Sequence, residues 1–228
     1  MTDSGLSLVR ASGLSKTYVT GRTLTPAILE ASFEIMPGDQ IAVTGPSGSG
    51  KSTLLHLIGA LDVPTTGTIE WPGLGSAGSL RPGLVSFSFQ GPSLLPPLSV
   101  LENVALPLLL LDKPEEEARE AALEMIARLD LTDVADKLPE EISGGQAQRG
   151  SVARALVGAP RLVLADEPTG QLDRAHAHDL LDVIVETVSR TGASLVVATH
   201  DRMIADRLHQ SWRMVDRRLD AGVWPRSR

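Results

Sequence analysis

The stretch Gly45-Pro46-Ser47-Gly48-Ser49-Gly50-Lys51-Ser52 decides how this chain is read. It fits the pattern of a glycine, four residues, then Gly-Lys-Ser, and its flanks fit too. Gln40–Thr44 before it has strand character, and Lys51–Ala60 after it reads as a helix. Glycines let such a loop curl until its N–H groups point inward. The helix N-terminus adds unsatisfied donors and the positive end of a dipole. Phosphate is the anion this geometry suits. Lys51 supplies a point charge for β- and γ-phosphates, and the Ser52 hydroxyl can face Mg²⁺. Thr53 is counted with the same stretch. Loop type alone does not separate an ATPase, a GTPase and a kinase of small molecules.

Working outward, residues 6–10 and 28–35 have strand character. Leu29, Ala31, Phe33 and Ile35 alternate with Glu30, Ser32 and Glu34, as in a half-exposed sheet. Further strands are expected at Thr68–Trp71 and from Val85 to Gln90, where Val85, Phe87 and Phe89 alternate with serines. Residues 99–137 change character, and Ala118, Ala122, Met125, Ile126 and Leu129 form an apolar stripe at helical spacing. A helix follows Ser143. Apolar strands at Leu162–Ala165 and Leu195–Thr199 are each followed by a helical stretch, Leu172–Arg190 and Asp201–Leu208. Continuous apolar strands between helices indicate a parallel sheet covered on both faces.

Two further constellations carry chemistry. The strand Leu162–Ala165 ends in Asp166-Glu167, and active groups of open α/β sheets gather at the carboxyl ends of strands. Asp166 can hold Mg²⁺ directly or through water, and Glu167 can polarise an attacking water as general base. Taken alone the pair reads more simply as a solvated loop; beside a phosphate loop it does not. Ile142-Ser143-Gly144-Gly145-Gln146 stands just before a helix, with Ser143 as N-cap and two glycines that leave N–H groups uncovered. That makes a second anion site, and one nucleotide has only one triphosphate.

The segment ISGGQAQR resembles the signature of ABC-type ATPases, and the other motifs of that family follow in order. Tyr18 matches the aromatic that stacks on adenine. Gln90 matches the glutamine at the hinge into a helical lobe. Thr169-Gly170-Gln171-Leu172-Asp173 is similar to the loop after the acidic pair, and His200 matches the histidine after the last core strand. The resemblance implies an α/β P-loop NTPase core of ABC type with a parallel sheet, an N-terminal antiparallel β part and an inserted α-helical lobe. It implies one nucleotide-binding domain over 1–228, with its core at 1–90 and 148–228 and the lobe at about 91–147.

It also implies roles. ATP is held by Tyr18 and by Gly45, Pro46, Ser47, Gly48, Ser49, Gly50, Lys51, Ser52 and Thr53. Ser143, Gly144, Gly145 and Gln146 bind the ATP of a second subunit in trans. Ser52, Gln90 and Asp166 serve Mg²⁺; Glu167, His200 and Gln90 serve catalysis; Asp173 couples the two sites. His56, His176, His178 and His209 receive no role.

Within the family, SGSGKSTLLHLIGALDVPTTGTI, LLPPLSVLENVALPLLL and ADEPTGQLD are similar to the macrolide-exporter and lipoprotein-releasing group, whose permeases transmit ATP-driven closure across the membrane. The implied partners are integral-membrane permease subunits and a second copy or a homologous ATPase subunit. The implied place is the cytoplasmic face of the plasma membrane. Leu94, Leu95 and Leu98, in Gly91–Val100, are candidates for receiving a cytoplasmic helix of the permease, or else are core residues. The related cell-division complex that controls wall hydrolases, and ABC ATPases without a permease acting on ribosomes or DNA, are the alternatives. Three departures stand out: a short Glu70–Val85 segment with Leu80-Arg81 as a remnant, Gly150 inside a helix, and Gln171 where Ala or Asn is commoner.

Composition narrows the classes. The chain has 228 residues, 42% of them hydrophobic and 3% aromatic, with no cysteine and a net charge of −7. Disulfides, thiol catalysis and Cys-based metal sites are excluded. A nucleic-acid partner is not expected, since the only basic stretch, Arg213–Arg228, reads as a solvated tail. MTDSGLSLVR lacks a charged-then-apolar signal pattern, and the run Leu94–Leu111 is broken by Pro96, Pro97, Glu102, Asn103 and Pro107, so it is no membrane span.

Overall fold

The computed structural model describes residues 6–91 and 93–222. The first half of MTDSGLSLVR, Pro92 and the end of the Arg213–Arg228 stretch lie outside the described residues. In chain order the elements are β1 (Val9–Thr20), β2 (Thr23–Ile35), β3 (Gln40–Thr44), α1 (Lys51–Ile58), β4 (Thr66–Glu70), β5 (Val85–Ser88), α2 (Val100–Leu109), α3 (Glu115–Arg128), α4 (Gly144–Leu156), β6 (Leu162–Asp166), α5 (Arg174–Thr191), β7 (Ser194–Thr199), α6 (Arg202–Ala205), β8 (Gln210–Val215) and β9 (Arg218–Asp220). The fold is α/β, and both compact units, Met1–Leu80 with Ser194–Arg228 and Arg81–Ala193, contain parallel strand pairs.

In the first unit, β1 lies between β2 and β4 in an antiparallel sheet. The strand expected at 6–10 begins at Val9 and runs to Thr20. Alternation in β2 holds from Ala31 to Ile35 and slips before it. Leu14 faces Ala31 but Lys16 faces Ile28, so β2 carries an extra residue there. Glu30 takes it up at φ 51°. The bulge turns Ile28 into the core in place of Leu29.

The same unit holds the parallel trio β7-β3-β8, with β9 antiparallel at its edge. Ile41, Ala42 and Val43 are fully buried, as are Leu195, Val196, Val197 and Ala198. Two-sided burial explains why these strands show continuous apolar runs instead of alternation. The solvated tail expected from Arg213 is corrected here. Arg213–Val215 completes β8, Met214 is fully buried, and the Phe33 and Trp212 rings lie 5.1 Å apart. The alternation of Trp212 and Met214 with Arg213 and Val215 is a strand signal that the arginines obscure.

In the second unit, β5 runs parallel to β6 among helices α2 to α5. β5 ends at Ser88, not Gln90. Ser88 is buried and Phe89 is exposed, the reverse of the expected alternation. The α3 stripe Ala118, Ala122, Met125, Ile126 is buried as its spacing predicts, with Leu129 just beyond. α2 starts at a capping box in which the Ser99 hydroxyl accepts from Glu102 N at 3.1 Å and Glu102 Oε2 accepts from Ser99 N at 2.7 Å.

Candidate nucleotide site

In the first unit, Thr44 of β3 pairs with Thr199 of β7 in parallel register. Gly45 and His200 therefore leave the sheet side by side at its carboxyl edge. The loop that follows has no room for side chains at two points. A Cβ on Gly45 would collide with the Met214 carbonyl, and one on Gly50, at φ 105°, with the Ala27 carbonyl. Gly50 also N-caps α1 without a side chain, which leaves first-turn donors of that helix uncapped. The Lys51 ammonium is buried and donates to Gly45 O at 2.9 Å and Pro46 O at 3.1 Å. Ser49 Oγ is buried with no hydrogen-bond partner. A buried ammonium held by neutral carbonyls, open helix donors and an unsatisfied hydroxyl suit a polyanion. Ser52 and Thr53 lie half-buried on the first turn. His200, Gly45 and Pro46 line one cleft of ≈ 830 Å³ with Thr44, Arg202 and Arg213 among its walls. Tyr18 stands near the end of β1, 38% exposed.

The second unit assembles the carboxylates. Ser88 of β5 faces Ala165 of β6, so Gln90 and the Asp166-Glu167 pair emerge from one end of the strand pair. Asp166 is 4% and Glu167 9% exposed. Glu167 sits at φ 47°, a left-handed conformation that costs a residue with a side chain about 1–3 kcal/mol. Gly170 N donates to its carbonyl at 3.1 Å, which fixes the turn. Nothing in the sequence announces this strain.

Ser143 caps α4 as its sequence predicts, and a reciprocal box forms: Gln146 N donates to Ser143 Oγ at 3.2 Å and Ser143 N to Gln146 Oε1 at 2.9 Å. The box takes up the N–H groups of Ser143 and Gln146, not those of the two glycines between them. The Gln171 carboxamide occupies the space where a Cβ on Gly144 would fall, and Leu172 Cδ2 lies 3.0 Å from that of Gly145. Gln171, the unusual residue of its loop, thus packs on the signature turn. Asp173 N-caps α5 through His176 N at 3.1 Å and meets His176 Nδ1 at 2.7 Å. The His176 backbone N–H and then its ring hold the Asp173 carboxyl below the usual carboxylate range. His176 thus has a partner that the sequence had not assigned; a histidine three residues after an N-cap acid is the signal for it.

Leu94 is corrected as a docking residue. It is buried against α4, and a Cβ on Gly150 would lie 3.2 Å from its Cδ1. That close approach accounts for a glycine in mid-helix, since even a methyl group would crowd Leu94. Leu95 remains 42% exposed and Leu98 half-buried. The loop they share is held by two residues to which the sequence assigns no such role. Asn103, fully buried, donates to Leu95 O, Leu98 O and Ser99 O at 2.9–3.1 Å and accepts from Leu95 N at 2.7 Å. Arg154 of α4 donates to Ser93 O at 2.8 Å and to Asn103 Oδ1 at 3.3 Å. Burial pushes the Arg154 guanidinium below its ordinary value.

Among the described residues no group of three or more His, Asp or Glu side chains is placed to hold a metal. Gln90 and Asp166 in the second unit, and separately the Ser52 hydroxyl in the first, are hard oxygen donors of the kind Mg²⁺ takes, a cation that usually keeps one or two protein ligands and completes its shell with water and phosphate.

A phosphate loop at the end of a parallel strand and a carboxylate pair at the end of another define a nucleoside triphosphatase of the α/β phosphate-loop class. Known proteins give the family. Residues 28–170 match the model of the ABC transporter family. The structure is similar to that of MJ0796, a bacterial ABC transporter cassette solved as a dimer, with 34% identity over 93% of this chain and 96% of that one and a TM-score of 0.87. A dimeric post-hydrolysis state of MJ0796 bound to ADP and Pi matches at 33% identity over 93% and 96%, with a TM-score of 0.86. CbiO1 of Clostridium perfringens, part of the transporter complex CbiONQ, matches at 26% identity over 94% and 87%, with a TM-score of 0.78. The chain belongs to the ABC transporter family, and it is an ATP-binding ATPase cassette of that family. Among the described residues no helix is long and apolar enough to cross a membrane.

Proposed function

We propose that this cassette is the energy-supplying subunit of a membrane complex of the macrolide-exporter and lipoprotein-releasing type. It works by ATP-dependent closure of a dimer with a second copy or a homologous subunit. The observation that carries this is the signature turn. Ser143 and Gly144 are exposed at the N-terminus of the 13-residue helix α4, a second anion-facing helix end in a chain with one phosphate loop. A second subunit's ATP supplies the missing anion. The dimeric state of MJ0796 supports closure with a second subunit, and the membership of CbiO1 in a transporter complex supports a membrane partner; the exporter and lipoprotein-releasing type rests on the sequence resemblance.

In this account 1–228 is one nucleotide-binding domain, with its core at 1–90 and 148–228 and its helical lobe at about 91–147. Lys51 and the loop N–H groups bind the triphosphate, and Tyr18 carries the adenine. Glu167 takes the proton of the attacking water; its fixed, strained turn limits where that carboxylate can point. His200 steadies the γ-phosphate and the water. Gln90, just before Gly91–Val100, senses the permease. Mg²⁺, held by Ser52, Gln90 and Asp166, would neutralise charge on the β- and γ-phosphate oxygens. Asp173 couples the two sites. The permease, an integral-membrane protein, would bring the cassette to the cytoplasmic face of the membrane. Isolation of the tagged cassette from membranes tests this. A partner with four spans and a large extracytoplasmic domain is expected; a partner with the span count of an importer, or a ribosome, contradicts it.

A further inference from the structure

Tyr18 is not a loose aromatic at a strand end. Its hydroxyl donates to Asp62 Oδ2 at 2.9 Å. The Lys16 ammonium bonds Asp62 Oδ1 at 2.5 Å and Val63 O at 2.8 Å, and it stands 4.9 Å from the centroid of the Tyr18 ring. Val63 N completes the carboxylate's shell at 2.7 Å. Lys16 and Asp62 are largely shielded, with side chains 12% and 22% exposed, so this pair is less screened than a surface ion pair. Burial opposes ionisation of Asp62, yet donation from Lys16, Tyr18 and Val63 holds its carboxyl below the usual range.

The backbone around the ring is tied to the same turn. Thr17 N donates to Thr65 Oγ1 at 3.0 Å, and Thr65 N to Ser15 O at 2.8 Å. Asp62 itself follows α1, the helix that begins in the phosphate loop. Gly59 N and Leu61 N close its end on Leu55 O and His56 O. One rigid piece, about 12 Å of helix at about 1.5 Å per residue, therefore joins the phosphate cradle to the group that holds the ring.

We infer that Asp62 and Lys16 are positioning residues for the nucleotide base: Asp62 fixes Tyr18 at a set distance from the phosphate loop, and Lys16 covers one ring face so that the base stacks on the other. Neither residue touches the nucleotide. The pair acts as a gauge that admits a nucleoside triphosphate whose base reaches the ring while its phosphates fill the loop. The inference rests on the reading of Tyr18 as the adenine platform.

The test is calorimetric binding of ATP and of tripolyphosphate, both with Mg²⁺, to the full chain. Tyr18→Ala measures the platform, and a loss of about tenfold in ATP affinity is expected. Asp62→Ala should cost about fivefold for ATP and nothing for tripolyphosphate. Asp62→Asn and Tyr18→Phe, which disturb the fold least, should each cost a smaller part of that and keep the inference testable if Asp62→Ala does not fold. Asp62→Ala added to Tyr18→Ala should cost nothing more. Wild-type ATP affinity in Asp62→Ala and Asp62→Asn, with Tyr18→Ala weakened, overturns the inference and leaves the platform standing. Wild-type affinity in Tyr18→Ala overturns both. Equal losses for ATP and tripolyphosphate, or additive losses in the double variant, would show that Asp62 acts through α1 and not through the ring.

Discussion

The chain has two glycine-rich turns at helix N-termini, and they are built on opposite plans. In Gly45–Ser52 the glycines are dictated by backbone: side chains at Gly45 and Gly50 would run into carbonyls, and no side chain caps α1. In Ser143–Gln146 the tightest neighbours of the glycines are side chains, those of Gln171 and Leu172, with a backbone carbonyl only at ordinary contact distance, and Ser143 and Gln146 cap α4 and each other. The first turn also buries a lysine at its centre; the second is exposed. A cradle whose shape is set by backbone and charge binds on its own. An exposed turn braced by its own capping box holds an anion only when something else delivers it.

The largest expected effect breaks hydrolysis without touching either turn. Glu167→Gln should cut phosphate release by about 10²–10⁴-fold while equilibrium ATP binding stays near wild type. Loss of binding together with turnover would remove Glu167 from the role of base. Next, Lys51→Ala should weaken ATP by about 10- to 100-fold in calorimetry, because a buried charge on phosphate is worth about 1.5–3 kcal/mol. Near-normal affinity would mean that the loop is not the self-sufficient half. A smaller effect concerns the frame around the signature helix. Arg154→Met leaves Ser93 O without its guanidinium partner and should lower unfolding free energy by about 2 kcal/mol in denaturant titration; unchanged stability would show that water replaces it freely.

The smallest effect is on pH. Asp173 has a folded-state pKa below its unfolded one. Its cap is therefore fully present above the unfolded value and fades as pH falls through the lower folded value. Asp173→Asn keeps an N-cap oxygen and should remove that acid-limb dependence from a thermal melt profile, leaving neutral-pH stability nearly unchanged. An identical acid limb in both proteins would assign it elsewhere.

How much of this was legible depended on the kind of signal. β3, α1, β6 and β7 were readable because two-sided burial and the phosphate loop leave strong local patterns. β8 was not, since Arg213 masks the alternation of Trp212 and Met214. At Leu29 the alternation of β2 points to the wrong face, because the bulge at Glu30 depends on pairing with β1. Motif residues could be named in advance, but the left-handed turn at Glu167, the Gln171 contact on Gly144 and the Arg154–Asn103 clamp are tertiary facts. Leu94 illustrates the limit. Its apolar run looked like a docking surface, and only its contact with Gly150 shows why both residues are what they are.

The central claim is that ATP binds to one subunit and closes two. Light scattering of Glu167→Gln with ATP, alone and combined with Ser143→Arg, tests it most directly. The account predicts an ATP-bound dimer for Glu167→Gln and an ATP-bound monomer for the double variant. A double variant that still dimerises, or one that no longer binds ATP as a monomer, would contradict it.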